Sequence, residues 1–169
     1  MYHDIEGCRG CGGTNLHVFL DLGETPLADR LLKPEQLSQD EPIYPLKVAF
    51  CADCALVQIL ARVQAEELFD AEYPYFSSFS DHLLQHSRDN VLDLIEMRGL
   101  SADSFVVELA SNDGYLLKNY VEHGIPVLGI DPAPGPAKAA EKIGVPTRNE
   151  FFTLELADEL AAEGVAAQV

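Results

Sequence analysis

The sequence predicts an α/β protein in two parts: a loop- and strand-rich front domain, then the first half of an open parallel sheet wound with helices. Three observations carry this. Short apolar runs broken by glycine and proline fill roughly the first 65 residues. A run of apolar residues at helical spacing follows, from Ser80 to Gly99. Beyond Gly99, strand-like and helix-like stretches alternate, the pattern of parallel strands joined by crossover helices. At 169 residues and 47% hydrophobic content, the chain has material for one medium domain or two small ones with a packed core.

The elements follow in order. Turn signals at Gly10, Gly12, Gly13, Gly23, Pro26, Pro34, Pro42 and Pro45 separate apolar runs at 16–22, 44–50 and 56–60, which read as short strands and hairpins. Residues 65–69 suit one helical turn, and YPYFSSFS (73–80) is aromatic and hydroxyl-rich. Ser80 is placed as an N-cap before Leu83, Leu84, Val91, Leu92, Leu94, Ile95 and Met97, an amphipathic helix ending at Gly99. FVVEL (105–109) and PVLGID (126–131) read as strands, and GYLLKNYVEHG (114–124) and PAKAAEKIG (136–144) as helices. A short strand at 145–147 and a helix at 154–163 complete the alternation. The closing VAAQV falls where the next strand should begin, so the sheet is expected to be truncated and the chain to be the front of a longer protein.

Charge narrows the partners. The formal charge is −17, from 11 Lys and Arg against 28 Asp and Glu, which disfavours nucleic acid and anionic membrane and leaves the acidic residues as a solvated surface. No stretch approaches the roughly eighteen apolar residues of a membrane span. The start, MYHDIEGCRG, does not read as a signal peptide, and a cytoplasmic location is expected.

The four cysteines form two Cys-x-x-Cys pairs, Cys8/Cys11 and Cys51/Cys54, with 39 residues between them. Two such pairs in a loop-rich segment suit a tetrahedral structural zinc site, each turn supplying two thiolates and leaving no open position for catalysis. A rubredoxin-like iron site is the alternative. A redox dithiol would sit at a helix start after a strand, and neither pair does so obviously. Residues 1–60 hold four Lys/Arg and nine Asp/Glu, against a nucleic-acid-binding ribbon. Zinc here substitutes for a core that so small a lobe cannot build.

VVELASNDGYLL (106–117) reads as strand, tight loop, helix. A dinucleotide loop needs Gly-x-Gly-x-x-Gly, and those positions hold Ala110, Asn112 and Tyr115, which disfavours a bound pyrophosphate. S-adenosylmethionine carries no phosphate. Ala110 and Ser111 keep the floor low, Asn112 tolerates a left-handed backbone, and Gly114 turns the chain into the helix. Glu108 is then the candidate for the ligand's cationic amino group. An ordinary turn explains the loop equally well. Asp131, 23 residues after Glu108, suits the ribose hydroxyls of an adenosine, or else a helix N-cap before Pro132. Asn149 or Glu150 is the candidate for the adenine amino group.

CRGCGG, LGETPLADRLL, YPLKVAFCADCALVQ, YPYFSSFSDH, VVELASNDGYLL and VLGIDPAP occur in this order. The chain thereby resembles, over essentially its whole length, the SAM-dependent C-methyltransferases of nucleotide-linked deoxysugars that carry an N-terminal zinc-binding domain. The resemblance implies a zinc-binding domain at 1–68, a linking segment and long helix at 69–99, and at 100–169 part of a Rossmann-like, class I methyltransferase sheet that binds SAM. It implies Zn2+ on Cys8, Cys11, Cys51 and Cys54, and SAM on Glu108, the loop from Ala110 through Ser111 and Asn112 to Gly114, and Asp131. It also implies a small-molecule acceptor, a nucleotide sugar, and a monomer when full-length. In that chemistry a base removes the C–H beside a keto group and the enolate takes the methyl. The base is expected beyond residue 169, so this chain alone is expected to be inactive.

Tyr73 and Tyr75 are candidate walls of the substrate pocket, with interdomain packing as the plainer reading. His82 and His86 lie four apart on one helix face without an obvious acidic third ligand. They read as solvated or packing side chains, His86 also as a pocket candidate. Two rival functions stand beside the methyltransferase: a zinc-ribbon interaction module with a non-catalytic nucleotide fold, and an NAD-linked oxidoreductase, which the missing glycines disfavour.

Overall fold

A computed structural model describes residues 2–169. It divides into two compact units, the first ending at Leu68 and the second running Phe69–Val169, so the 69–99 segment belongs with the second unit.

In the first unit, β2 (Leu16–Thr25), β3 (Tyr44–Cys51) and β4 (Val57–Ile59) form an antiparallel sheet in that order. A second, unexpected ribbon pairs β1 (Tyr2–Asp4) with β5 (Ala61–Val63). The polar YHD of β1 shows no alternation, so no strand was legible there. β2 slips register twice against β3, with Gly23 left-handed at φ 75° in the second irregularity. Residues 34–36 make a 3-10 turn, and α1 is the single turn Ala65–Leu68. Among the described residues of this unit, only Cys8, Ala49, Cys51 and Gln58 are buried. The centre of the unit is therefore its cysteine cluster.

The second unit begins with a 3-10 turn at Ser77–Phe79 and then α2, Asp81–Arg98. Ser80 Oγ accepts the Leu83 amide at 3.2 Å, and Gly99 closes the helix at φ 61° and ψ 40°. Val91 is buried, whereas Leu92 and Met97, counted in the sequence as part of the apolar stripe, lie exposed. Strands β6 (Val106–Leu109), β7 (Val127–Ile130) and β8 (Thr147–Arg148) form a parallel sheet in that order. Helices α3 (Leu117–Glu122), α4 (Pro134–Lys142) and α5 (Leu154–Ala162) follow them in turn.

Side chains of β6 and β7 alternate between two cores. Val106 and Val127 pack with Val91, Leu117, Tyr120, Ala140 and Val145, whereas Val107, Leu128 and Ile130 pack with Leu156 and Leu160 of α5. Helices thus cover both faces, as expected of an α/β sheet. On the edge of β6 away from β7, Gln168 N donates to Phe105 O and Val107 N to Val169 O.

Three boundaries differ from expectation. The helix expected over 114–124 starts only at Leu117 because Gly114 is left-handed at φ 75° and the chain is still turning. The helix expected at 136–144 starts at Pro134, since proline suits a first helical turn, and ends at Lys142. The third strand begins at Thr147 rather than Val145, whose side chain is buried in the first core. Among the described residues no helix is long and apolar enough to cross a membrane.

Candidate functional site

The first site is the four-cysteine cluster. Cys8 and Cys11 sit in the connection between β1 and β2, Cys51 ends β3, and Cys54 lies in the turn from β3 to β4. Each pair makes the same turn. Gly12 N donates to Cys8 O and Ala55 N to Cys51 O, both at 2.8 Å, with Gly12 at φ 75° and Ala55 at φ 63°. All four ligand atoms lie within 4.8 Å of one another, with Cys8 Sγ 3.6 Å from Cys54 Sγ and Cys11 Sγ 3.7 Å from Cys51 Sγ. A tetrahedron with Zn–S of about 2.3 Å has S···S edges of about 3.8 Å, so these two pairs already stand near the separation a tetrahedral metal needs. Gly10 N donates to Cys8 Sγ at 3.4 Å and Gln58 Nε2 at 3.1 Å, so the buried sulfur is hydrogen-bonded as a thiolate would be.

The Cys11 amide foremost, with those two donors and against burial, brings the Cys8 thiol down to about 6. Cys54 goes the other way, to about 12: the Leu56 amide lowers it, but the sulfurs around it and burial prevail. Four thiolates at this distance need a cation, and the residues fit zinc.

The second site is at the C-terminal ends of β6 and β7. Glu108 is on β6, Asp131 follows β7, and Asp113 lies in the loop between β6 and α3. Glu108 Oε2, Asp113 Oδ1 and Ser111 Oγ are buried without a hydrogen-bond partner. Burial, then the charges of Asp131 and Asp113, pushes the Glu108 carboxyl up to about 8. Burial, then the charges of Glu108, Tyr75 and Asp113, raises the Tyr115 hydroxyl. A cation among these carboxylates would restore Glu108 to its ordinary ionised state.

The loop is tightly built. Ala110 and Asn112 are left-handed at φ 60° and 50°, a cost of order 1 kcal/mol for a residue with a side chain, and strain of this kind concentrates at binding sites. Ser111 packs so closely over Gly129 that a Cβ there would stand 2.5 Å from Ser111 Oγ. Gly114 is held by packing as well as by its φ, since a Cβ would lie 3.0 Å from Val145 Cγ2.

Several predicted site residues have structural duties here. Asp131 accepts the Asn112 amide on Oδ2 and the Ala133 amide on Oδ1, both at 2.8 Å. It thus does what a turn-capping aspartate does, and a ribose would use the lone pairs these amides leave. Asn149 is exposed and donates from Nδ2 to Asp131 O at 2.9 Å, tying the end of β8 back to β7. Asn112 directs its side chain to the main chain of residues 75 and 77. Tyr73 stacks edge-on against Phe69 with centroids 5.2 Å apart, while Tyr75 is 45% exposed. His82 and His86 are exposed on α2, and no hydrogen bond among the described residues links either to the loop. Asp113 escaped the sequence reading. Between an asparagine and a glycine it looks like any turn residue, and only burial marks it out.

Residues 8–69 match the family described as "Putative zinc binding domain". The chain is 35% identical over 157 residues to C-methyltransferase NovU of Streptomyces niveus, an alignment covering 93% of this chain and 37% of that protein. The chain therefore spans little more than a third of the length of that curated relative. Among solved structures, the X-ray structure of YjhP from E. coli matches 48% of this chain and 34% of its own at 19% identity, with a TM-score of 0.31. Residues 8–69 are thus similar to that zinc-binding domain family, and most of the chain's length is similar to part of a C-methyltransferase.

Proposed function

We propose that this chain is the zinc- and cofactor-binding part of an S-adenosylmethionine-dependent C-methyltransferase, acting on a carbon beside the keto group of a nucleotide-linked deoxysugar. The observation that carries the cofactor reading is the trio Glu108, Asp113 and Asp131, with two buried carboxylate oxygens lacking partners. A site of this kind favours a cation without phosphate, and S-adenosylmethionine carries both an ammonium and a sulfonium.

When bound, the cofactor supplies an electrophilic methyl group. Glu108 and Asp113 would hold its ammonium, Asp131 its ribose, and residues 110–114 would form the floor beneath it. Tyr75, exposed beside the loop through its carbonyl bond to Asn112, is the candidate for the acceptor. The zinc site holds the first unit together and takes no part in the chemistry, since four cysteines leave no open coordination position. The deoxysugar acceptor rests on the sequence resemblance, and so does a cytoplasmic setting.

The interaction-module reading keeps one observation in its favour: Phe19, Leu22, Leu31 and Leu37 of the first unit are each more than half exposed. Calorimetric titration of the zinc-loaded chain with S-adenosylhomocysteine, with NADH as control, separates these readings. Selective binding of the homocysteine ligand is expected. A folded chain that binds neither would leave the interaction module as the better reading, and one that prefers NADH would point to an oxidoreductase.

A further inference from the structure

We infer that Asn112 is a positioning residue that couples the occupied cofactor loop to the tyrosine-bearing segment 75–78. The inference rests on the cofactor reading above and goes beyond it.

Asn112 is buried and joined on both sides. Its amide donates to Asp131 Oδ2 at 2.8 Å, the carboxylate assigned to the ribose. Its side-chain Oδ1 accepts the Ser77 amide at 2.8 Å, and its Nδ2 donates to Tyr75 O at 3.2 Å. The next residue repeats the link, since Asp113 Oδ2 accepts the Ser78 amide at 3.2 Å. Two adjacent loop side chains thus satisfy main-chain groups of residues 75, 77 and 78. Without them the Ser77 amide would be left unpaired in a buried place, which a short 3-10 turn cannot remedy internally, and the groups of residues 75 and 78 would lose part-buried partners.

The same segment also lies against the start of α4: a Cβ on Gly135 would stand 3.7 Å from Phe76 Cζ and 3.9 Å from Tyr73 O. A residue whose amide reads Asp131 and whose side chain holds Tyr75 transmits the state of one to the other. A ligand that ties down residues 110–114 should therefore fix residues 75–78 as well. In a methyl transfer this would form the acceptor wall only after the cofactor has bound.

The left-handed φ of 50° at Asn112 makes glycine the clean test. Asn112→Gly keeps that backbone and the amide bond to Asp131, and removes both side-chain bonds. The measurement is amide hydrogen exchange at residues 75–79 of the zinc-loaded chain, with and without saturating S-adenosylhomocysteine, alongside calorimetric affinity. In the wild type, ligand should slow exchange of the Ser77 amide about tenfold. In Asn112→Gly, compared at ligand concentrations that saturate each protein by its own calorimetric affinity, that slowing should fall below about twofold. Asn112→Asp keeps the acceptor for Ser77 but sets a carboxylate oxygen against Tyr75 O, and should restore only part of it. Ligand-dependent protection that survives in Asn112→Gly, or that is absent from a wild type which binds the ligand, overturns the coupling alone. A wild type that does not bind the ligand overturns the cofactor reading, and the coupling with it.

Discussion

Replacing Glu108 by glutamine should stabilise the unliganded second unit, and by an amount that grows with pH. The ordinary value for this carboxyl is 4.5, and burial beside Asp131 and Asp113 raises it to about 8 in the folded chain. Between those two values the folded state holds a proton that the unfolded state releases, so the wild type loses stability as pH rises through that window. The cost is about 1 kcal/mol at pH 5, about 3 kcal/mol at pH 7, and levels off near 5 kcal/mol above the folded value. Glutamine does not titrate. Any constant difference in how well the amide fits cancels when two pH values are compared, leaving about 2 kcal/mol between pH 5 and pH 7. Every helix longer than one turn lies in the second unit, so urea unfolding followed by far-ultraviolet circular dichroism reports on it. If the advantage of Glu108→Gln were the same at both pH values, the carboxyl would not be strained and the reasoning would fail. The same substitution removes the anion offered to a cationic ligand, so it should weaken S-adenosylmethionine even as it stabilises the empty fold. Such opposition is expected where a binding site is held at a cost to the scaffold.

Other expectations follow from the same geometry. Cys51→Ser should abolish stoichiometric zinc by atomic emission and remove hydrogen-exchange protection at Ala49 and Gln58, while Val106 and Val127 stay protected; a mutant retaining zinc and protection would refute the shared site. Asp131→Ala should weaken S-adenosylhomocysteine by roughly 1–3 kcal/mol in calorimetry, the cost of an unmade buried hydrogen bond. An unchanged affinity would sink the ribose assignment. It should also destabilise the second unit, because two amides lose their acceptor. Gly114→Ala should cost about 2–3 kcal/mol in chemical denaturation, combining a left-handed backbone with a Cβ pressed against Val145 and Ala140. A cost below about 0.5 kcal/mol would mean that the loop yields easily.

The sequence by itself determined the elements whose cause is local. The cysteine spacing, the Ser80 cap, the Gly99 stop and the strand–helix alternation are signals that a few neighbouring residues carry in full, and the structure has the corresponding turns, helix and parallel sheet. Where a neighbour in space intervened, the local reading slipped. Leu92 and Met97 fit the helical rhythm but stay exposed, and the helix after β6 is delayed because Gly114 must pass under Val145.

The tertiary structure alone decided how the loop side chains are used. In the sequence Asn112 shows only its tolerance of a left-handed backbone. Its side chain, however, meets residues 75 and 77, over thirty positions away in the chain. Asp113 looked like a turn residue, and its importance comes from burial beside Glu108 and Asp131. In the sequence Asp131 suits capping and ligand binding alike, and the fold brings both Asn112 and Ala133 amides to its carboxylate. Periodicity and spacing record what a residue does for its own element. Desolvation, unpaired hydrogen-bonding groups and charge repulsion exist only once distant segments have been brought together, and those are the properties that define this site.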